Sequence, residues 1–351
     1  MSSADGDRGI DLDTKDHYNN TDSGGSSKNV KGKSDAPSGL DDATTSSPSL
    51  GMEPKEPPDV LPGLPRLDYR LLEHKTKLFL VSGLLIFEGS ILPIVLFYPL
   101  WYYTSLRHGI IFAIITSFFG IISGLEFAHR SWRLIHKTDR YRPIGGKRWH
   151  FDFTHLTLCV GYTIMTGILI GASVPHEPLV RPLAMPVPLF FIQIGSQCLV
   201  TGWMAARGMP TTCRVSSVPK GAPIPPLVLT LVEDVVGVDG GAGRVYRERL
   251  LERYKMSRRF RSMIKGLNWF WGLGAFLAGA GSMAVVWTVP EEIAYGIGWG
   301  APLVFATLWT IVTVIWTRRS LRTEKKLWLA DSKAAGEQTE SAPSSQGVVI
   351  R

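Results

Sequence analysis

The sequence predicts an all-α fold: a six-helix polytopic membrane bundle with disordered cytoplasmic tails and a basic amphipathic cytoplasmic helix. Three observations lead there. Apolar residues are concentrated between Leu78 and Thr317, in runs of the ~20 residues needed to cross a bilayer's hydrocarbon core. The basic residues fall in alternate connections. The two ends of the 351-residue chain carry too little apolar surface to offset the entropy of ordering.

Residues 1–65 form the first tail, which is polar and ends in the proline-rich "GMEPKEPPDVLPGLPRL". No apolar run opens the chain, so the first spanning helix has to act as the targeting signal. The membrane domain covers 66–319, with spans expected at 78–103, 109–128, 153–174, 186–205, 267–289 and 293–317. A cytoplasmic loop occupies 206–266, and 320–351 form the second tail. The first span is longer than the core requires, so it must tilt or bend. Pro93 and Pro99 are its expected bend points. Trp101, Tyr102 and Tyr103 close it with the aromatic rings favoured at headgroup level.

Orientation follows from charge. Lys75 and Lys77 precede the first span, seven Lys and Arg lie between Arg130 and Arg148, and twelve lie between Arg207 and Lys265. Arg318, Arg319, Arg322, Lys325 and Lys326 follow the last span, whereas Arg107 and Arg181 stand alone on the other side. The positive-inside rule then places both termini in the cytoplasm, which requires an even number of spans. The absence of an organellar presequence fits the endoplasmic reticulum. The net charge of +8 is thereby explained by topology and by attraction to anionic lipid; no nucleic-acid partner is implied.

Within the loop, Leu227–Val238 is too short to span and is expected as a re-entrant or surface helix. The glycines 240, 241 and 243 make a turn. Tyr246, Leu250, Tyr254 and Met263 then recur at near-helical spacing among arginines, as in a basic helix lying on the membrane. At the start of the fifth span, Gly272, Gly274, Ala275, Ala278 and Gly279 offer small faces for close helix approach.

Three acids are candidate catalytic residues: Glu88, Glu126 and Asp152. Glu88 lies about ten residues into the first span, ~15 Å deep on a straight helix. An ionised side chain there costs on the order of 3 kcal/mol. A neutral carboxylic acid facing the bundle interior is a potential proton donor; the alternative is an interhelical hydrogen bond to the polar stripe Gln193, Gln197 and Thr201. Glu126 ends the second span near His129 and Arg130, where a solvated salt bridge competes with catalysis. Asp152 and His155 are three residues apart and can share a helix face for proton transfer, while Asp152 is also placed to cap the third span.

No metal or cofactor is expected. Glu233, Asp234 and Asp239 lack the DDxxD spacing of diphosphate-binding enzymes, and "GGAG" lacks the GK[ST] of a phosphate loop. Cys159, Cys198 and Cys213 show no paired spacing for disulfides or zinc.

The segments "LVEDVVGVDGG", "RVYRERLLERY" and "FWGLGAFLAG" resemble polytopic membrane proteins of filamentous fungi. These are the membrane protein A type of paxilline-like indole-diterpene clusters and its lolitrem-cluster relatives. The similarity covers Leu78–Arg319. It implies a part in secondary-metabolite biosynthesis, as a cofactor-free membrane terpene cyclase acting on an epoxidised prenyl-indole beside prenyltransferase and oxygenase enzymes. In residue terms the acids suit such chemistry on a lipophilic substrate in the bilayer. A transporter of a lipophilic metabolite and a noncatalytic scaffold are the competing readings.

Overall fold

A computed structural model describes residues 63–65, 67, 83, 87–147 and 150–340, excepting the side chains of Glu88, 138, 139 and 335–340. All of these fall within the unit Pro57–Arg351. Among the described residues the chain is largely helical and contains no strand, the longest non-helical stretch being 207–226. The main elements are α1 (Leu92–Tyr103), α2 (His108–His136), α3 (Phe153–Ser173), α4 (Pro186–Ala206), α5 (Leu227–Asp234), α6 (Gly243–Met256), α7 (Arg258–Thr288) and α8 (Glu291–Glu340). Five of them, α2, α3, α4, α7 and α8, are long and apolar enough to cross a membrane.

The expected first span is described only from Gly89 to Tyr103 as a continuous apolar helix. Residues 78–82 and 84–86 lie outside the described residues, as do both expected tails up to residue 62 and beyond residue 340. A π-helical turn, Phe87–Ile91, leads into α1, with Pro93 at its start and Pro99 inside it. Pro93 has no N–H, and its ring would crowd the carbonyl four residues back; the wider turn accommodates that change.

The core of the bundle is aromatic at one end. Phe97 stacks on Tyr295 with ring centroids 4.2 Å apart, and Trp299 is buried with its Nε1 donating to the Leu183 carbonyl at 3.1 Å. At the other end, Leu227, Leu229, Leu250, Phe260 and Ile264 form a second cluster. Between the two, α4 and α7 cross with almost no side chain separating them. A Cβ on Gly195 would lie 2.5 Å from the Phe276 backbone nitrogen, and one on Gly279 would lie 2.6 Å from the Pro188 carbonyl oxygen. The small face expected on α7 is thus used, and Gly195 on α4 answers it.

Two expectations for the 206–266 loop are corrected. The Leu227–Val238 segment packs one face on protein and is no surface helix: Leu227, Val228, Leu229, Thr230, Glu233 and Asp234 are buried while Val235 is exposed. Its first N–H groups, the usual orphans of a helix start, are taken by side chains from the spans. Leu227 N donates to Thr201 Oγ1 at 3.2 Å and Val228 N to Asn268 Oδ1 at 3.1 Å. The basic helix, α6, buries Tyr246, Arg247 and Leu250 and so packs one face on protein. It stops at Met256, and Ser257 caps the next helix by accepting from Phe260 N at 3.1 Å. Met263 therefore belongs to α7, whose start precedes the expected fifth span by nine residues.

Candidate functional site

Glu233 and Asp234 end α5, and a π-helical turn over Val235–Asp239 carries Asp239 onward. That turn and α6 meet the C-terminal part of α2 and the N-terminus of α3. There a cluster of charges is closed off from solvent: Asp152, Asp234 and Arg247 are each 0 % exposed.

Arg247 is the centre. Its Nη1 donates to Glu233 Oε1 at 2.8 Å and to Asp234 Oδ1 at 2.5 Å. Its Nη2 donates to the Tyr141 carbonyl at 3.3 Å and lies 3.7 Å from Asp152 Oδ2. Arg130 forms the second arm, with Nη2 donating to Asp152 Oδ2 at 2.8 Å and Nη1 to Asp239. Arg133 adds bonds to the carbonyls of Val238 and Asp239 at 2.9 and 3.2 Å. Planar guanidinium groups suit this geometry, because each fork can serve two carboxylates at once.

The carboxylates are also held from the other side. Asp234 Oδ2 accepts from Thr154 N at 3.1 Å, Thr154 Oγ1 at 2.8 Å and Ser216 Oγ at 2.6 Å. Glu233 Oε1 accepts from Ser217 Oγ as well. Two guanidinium groups face four carboxylates, and the imbalance acts on protonation. Burial, then the neighbouring charge of Asp234, pushes the Glu233 carboxyl up to about 7 against the pull of Arg247 and Ser217. Burial, then Asp152, raises Asp234 as well.

The glycines of "EDVVGVDGG" belong to the same clamp. A Cβ on Gly237 would fall 2.9 Å from Arg247 Nε, so its absence is what lets the guanidinium approach. Gly241 and Gly243 have φ of +76° and +72°, the left-handed backbone that glycine alone adopts without strain. This fulfils the turn expected there, while arginines occupy the acids considered for a cation. Among the described residues no His, Cys, Asp and Glu cluster is arranged to hold a metal ion.

Of the two candidate acids whose side chains are described, Asp152 is hydrogen-bonded into this cluster and Glu126 lies near its Asp239 end. Asp152 caps α3, accepting from His155 N at 2.7 Å with one oxygen while the other takes Arg130. The His155 ring lies between Phe127 and Phe151, at 4.4 and 4.8 Å, and its Nε2 is 3.4 Å from Ser131 Oγ; Asp152 thus meets the backbone of His155. Glu126 is half-buried one turn before Arg130, which turns instead to Asp152 and Asp239. Glu88 falls in the π-helical turn, and its side chain lies outside the described residues.

Next to that turn is a half-open pocket of about 210 Å³ between the helices, lined by Gly89, Ser90, Phe119, Tyr162, Phe190, Phe191 and Ala306 among others. Ser90 donates to the Trp299 carbonyl at 2.7 Å. The walls are aromatic and aliphatic with few hydroxyls, which is the lining of a site for an apolar ligand. Its volume is below the ~300 Å³ usual for drug-sized molecules, and so matches one arm of a larger ligand. In the stripe on α4, Gln193 Nε2 donates to the Thr157 carbonyl at 3.0 Å and Thr201 accepts from α5; a bond from Glu88 to the stripe lies outside the described residues.

Five helices long and apolar enough to cross a membrane, with an ionic clamp at one end and an apolar pocket between helices, are compatible with a multi-pass membrane protein. Residues 52–328 match the family model described as Domain of unknown function (DUF8766), and the chain belongs to that family. No curated protein and no solved structure matches it.

Proposed function

We propose that this is a six-span protein of the endoplasmic reticulum, with both termini cytoplasmic, that receives a lipophilic small molecule from the bilayer and carries out proton-initiated chemistry on it. The observation that carries the reading is the aromatic cavity whose wall begins at Gly89 and Ser90, directly after Glu88 in the chain. On this reading Glu88 is the acid. With the epoxidised prenyl-indole that the sequence resemblance suggests, the proton passes to the epoxide oxygen and the C–O bond breaks. A prenyl double bond then closes on the electron-poor carbon, aromatic faces stabilise the cation, and loss of a proton to a carboxylate completes a redox-neutral cyclisation that needs no cofactor.

The test is turnover of an epoxidised prenyl-indole by purified protein in nanodiscs. Wild type is expected to form a cyclised product. Glu88→Gln, which keeps the shape and removes the acid, is expected to lose ~10²-fold or more in rate while still being labelled by a photoreactive analogue. Ala306→Trp, which fills the cavity, is expected to lose both. Unchanged substrate with wild type would sink the chemistry, and net movement of that substrate into sealed vesicles would put transport in its place.

A noncatalytic scaffold draws support from a different observation. Helix α8 runs for 50 residues, ~75 Å at ~1.5 Å per residue, and so extends well past a ~30 Å hydrocarbon core. Such an extension is suited to docking prenyltransferase or oxygenase enzymes. Normal product formation in a chain truncated after Lys326 would remove that role.

A further inference from the structure

A second recess opens on the outside of the bundle, at the end opposite the ionic clamp. It is a groove of about 560 Å³ between the first half of α2 and the end of α3. Its wall along α2 includes Ile110, Ala113, Ile114, Ser117, Phe118 and Ile121, and Ser173, Val174 and Pro175 close it from α3. Arg107 stands at its mouth. From Arg107 to Ile121 the helix rises ~21 Å at ~1.5 Å per residue, which is longer than the ~15 Å from headgroup level to the midplane of a ~30 Å core. The groove therefore has the length and lining of an acyl-chain channel that begins at a headgroup.

The charges at the mouth specify that headgroup. Arg107 is exposed, and its Nη2 makes one bond, to the His176 carbonyl at 3.3 Å, which leaves most of a five-donor fork facing outward. Glu177 follows immediately, 79 % exposed, at 3.8 Å from His108 Nδ1 and 3.4 Å from His176 Nδ1. A positive and a negative group thus stand at the same end of the groove, linked through the neighbouring His176 and His108. A purely anionic headgroup would satisfy the first and be repelled by the second.

We propose that this groove holds one zwitterionic phospholipid, with its phosphate on Arg107, its ammonium toward Glu177 and an acyl chain along Ile110, Ile114 and Phe118. The site is separate from the cavity beside Glu88, and it stands whether or not that acid does chemistry. Occupancy would fix the α2–α3 end of the bundle, where an unfilled groove leaves apolar walls without partner atoms.

The experiment is native mass spectrometry of the purified full-length protein, stripped of lipid and then given phosphatidylcholine or phosphatidylglycerol in detergent. Wild type should retain a single phosphatidylcholine. Arg107→Ala, which removes a charge-assisted hydrogen bond to phosphate, should lose about tenfold of that retention, and Ala113→Trp should lose it by filling the channel. Glu177→Gln should narrow the preference over phosphatidylglycerol. Arg244→Ala, an exposed cation on α6 paired with Glu248, should behave as wild type. Should Ala113→Trp fail to fold, Arg107→Ala and Glu177→Gln still decide. Equal retention by Arg107→Ala and wild type, tighter binding of phosphatidylglycerol, or retention of neither lipid by wild type would overturn the proposal.

Discussion

Arg247 is the residue on which the loop's attachment turns. It is completely enclosed and touches Glu233, Asp234 and the Tyr141 carbonyl; without it, three buried carboxylates face one another with Arg130 alone. Removing one partner of a buried ionic network typically costs ~3–5 kcal/mol, since the remaining charges stay desolvated. Arg247→Ala is therefore expected to lower the thermal midpoint in detergent sharply and to open the 207–257 segment to protease. Arg247→Lys should recover little, because a point charge cannot serve two carboxylates and a carbonyl in fixed directions. Glu233 supplies the pH dependence. Its carboxyl is raised to about 7 from an ordinary 4.5 by burial and by Asp234, so the folded protein binds more protons than the unfolded chain between these values. The resulting stability is full below about 4.5 and is lost as pH rises through about 7, on the order of 3 kcal/mol across the window. Unfolding measured from pH 4.5 to 8 should show stability falling as pH rises, and Glu233→Gln should flatten that part of the profile. A profile identical to wild type in that variant would assign the dependence to Asp234 instead.

Among the elements, the α4–α7 crossing depends on two missing side chains. At Gly195 and Gly279 an added methyl would strike backbone of the facing helix, which no rotamer change can relieve, so each Gly→Ala substitution is expected to cost ~1–3 kcal/mol. Gly167 on α3 meets nothing within 4 Å of an added Cβ, and Gly167→Ala should be neutral or stabilise by up to ~1 kcal/mol through helix propensity. Thermal melts of the three variants in one detergent distinguish these outcomes. The same contrast explains what could be read in the sequence. The small face of α7 was legible because Gly272, Gly274 and Gly279 recur within a short stretch, and the Asp152 cap was legible because its partner is three residues away. The clamp was not. Arg130 and Asp239 are 109 positions apart, and nothing local distinguishes Arg247 from the surface arginines around it on α6. Gly237 was the available signal: a glycine inside an otherwise β-branched run, "VVGVD", marks a close approach, here that of Arg247. Periodicity also ran Tyr246 through Met263 as one helix, because Ser257 interrupts the chain without disturbing the spacing of apolar residues.

For the molecule as a whole, the clamp joins the end of α2 to Asp152 and the 207–257 segment, where basic residues also concentrate, so orientation can be tested with a side chain already present. Cys213 is exposed in the segment between α4 and α5, Cys198 is buried and Cys159 is half-buried on α3. Thiolate reactivity requires access to water, and a spanning position denies it. A membrane-impermeant maleimide added to sealed microsomes whose cytoplasmic face is outward should therefore label wild type at one site and leave Cys213→Ser unlabelled. Permeabilising the vesicles should add little, because neither remaining thiol reaches solvent on either face. Cytoplasmic exposure is the outcome required by twelve Lys and Arg between Arg207 and Lys265, since the side rich in basic residues stays inside. A signal that appears only after permeabilisation would place the clamp in the lumen. The charge asymmetry would then have failed to set the topology.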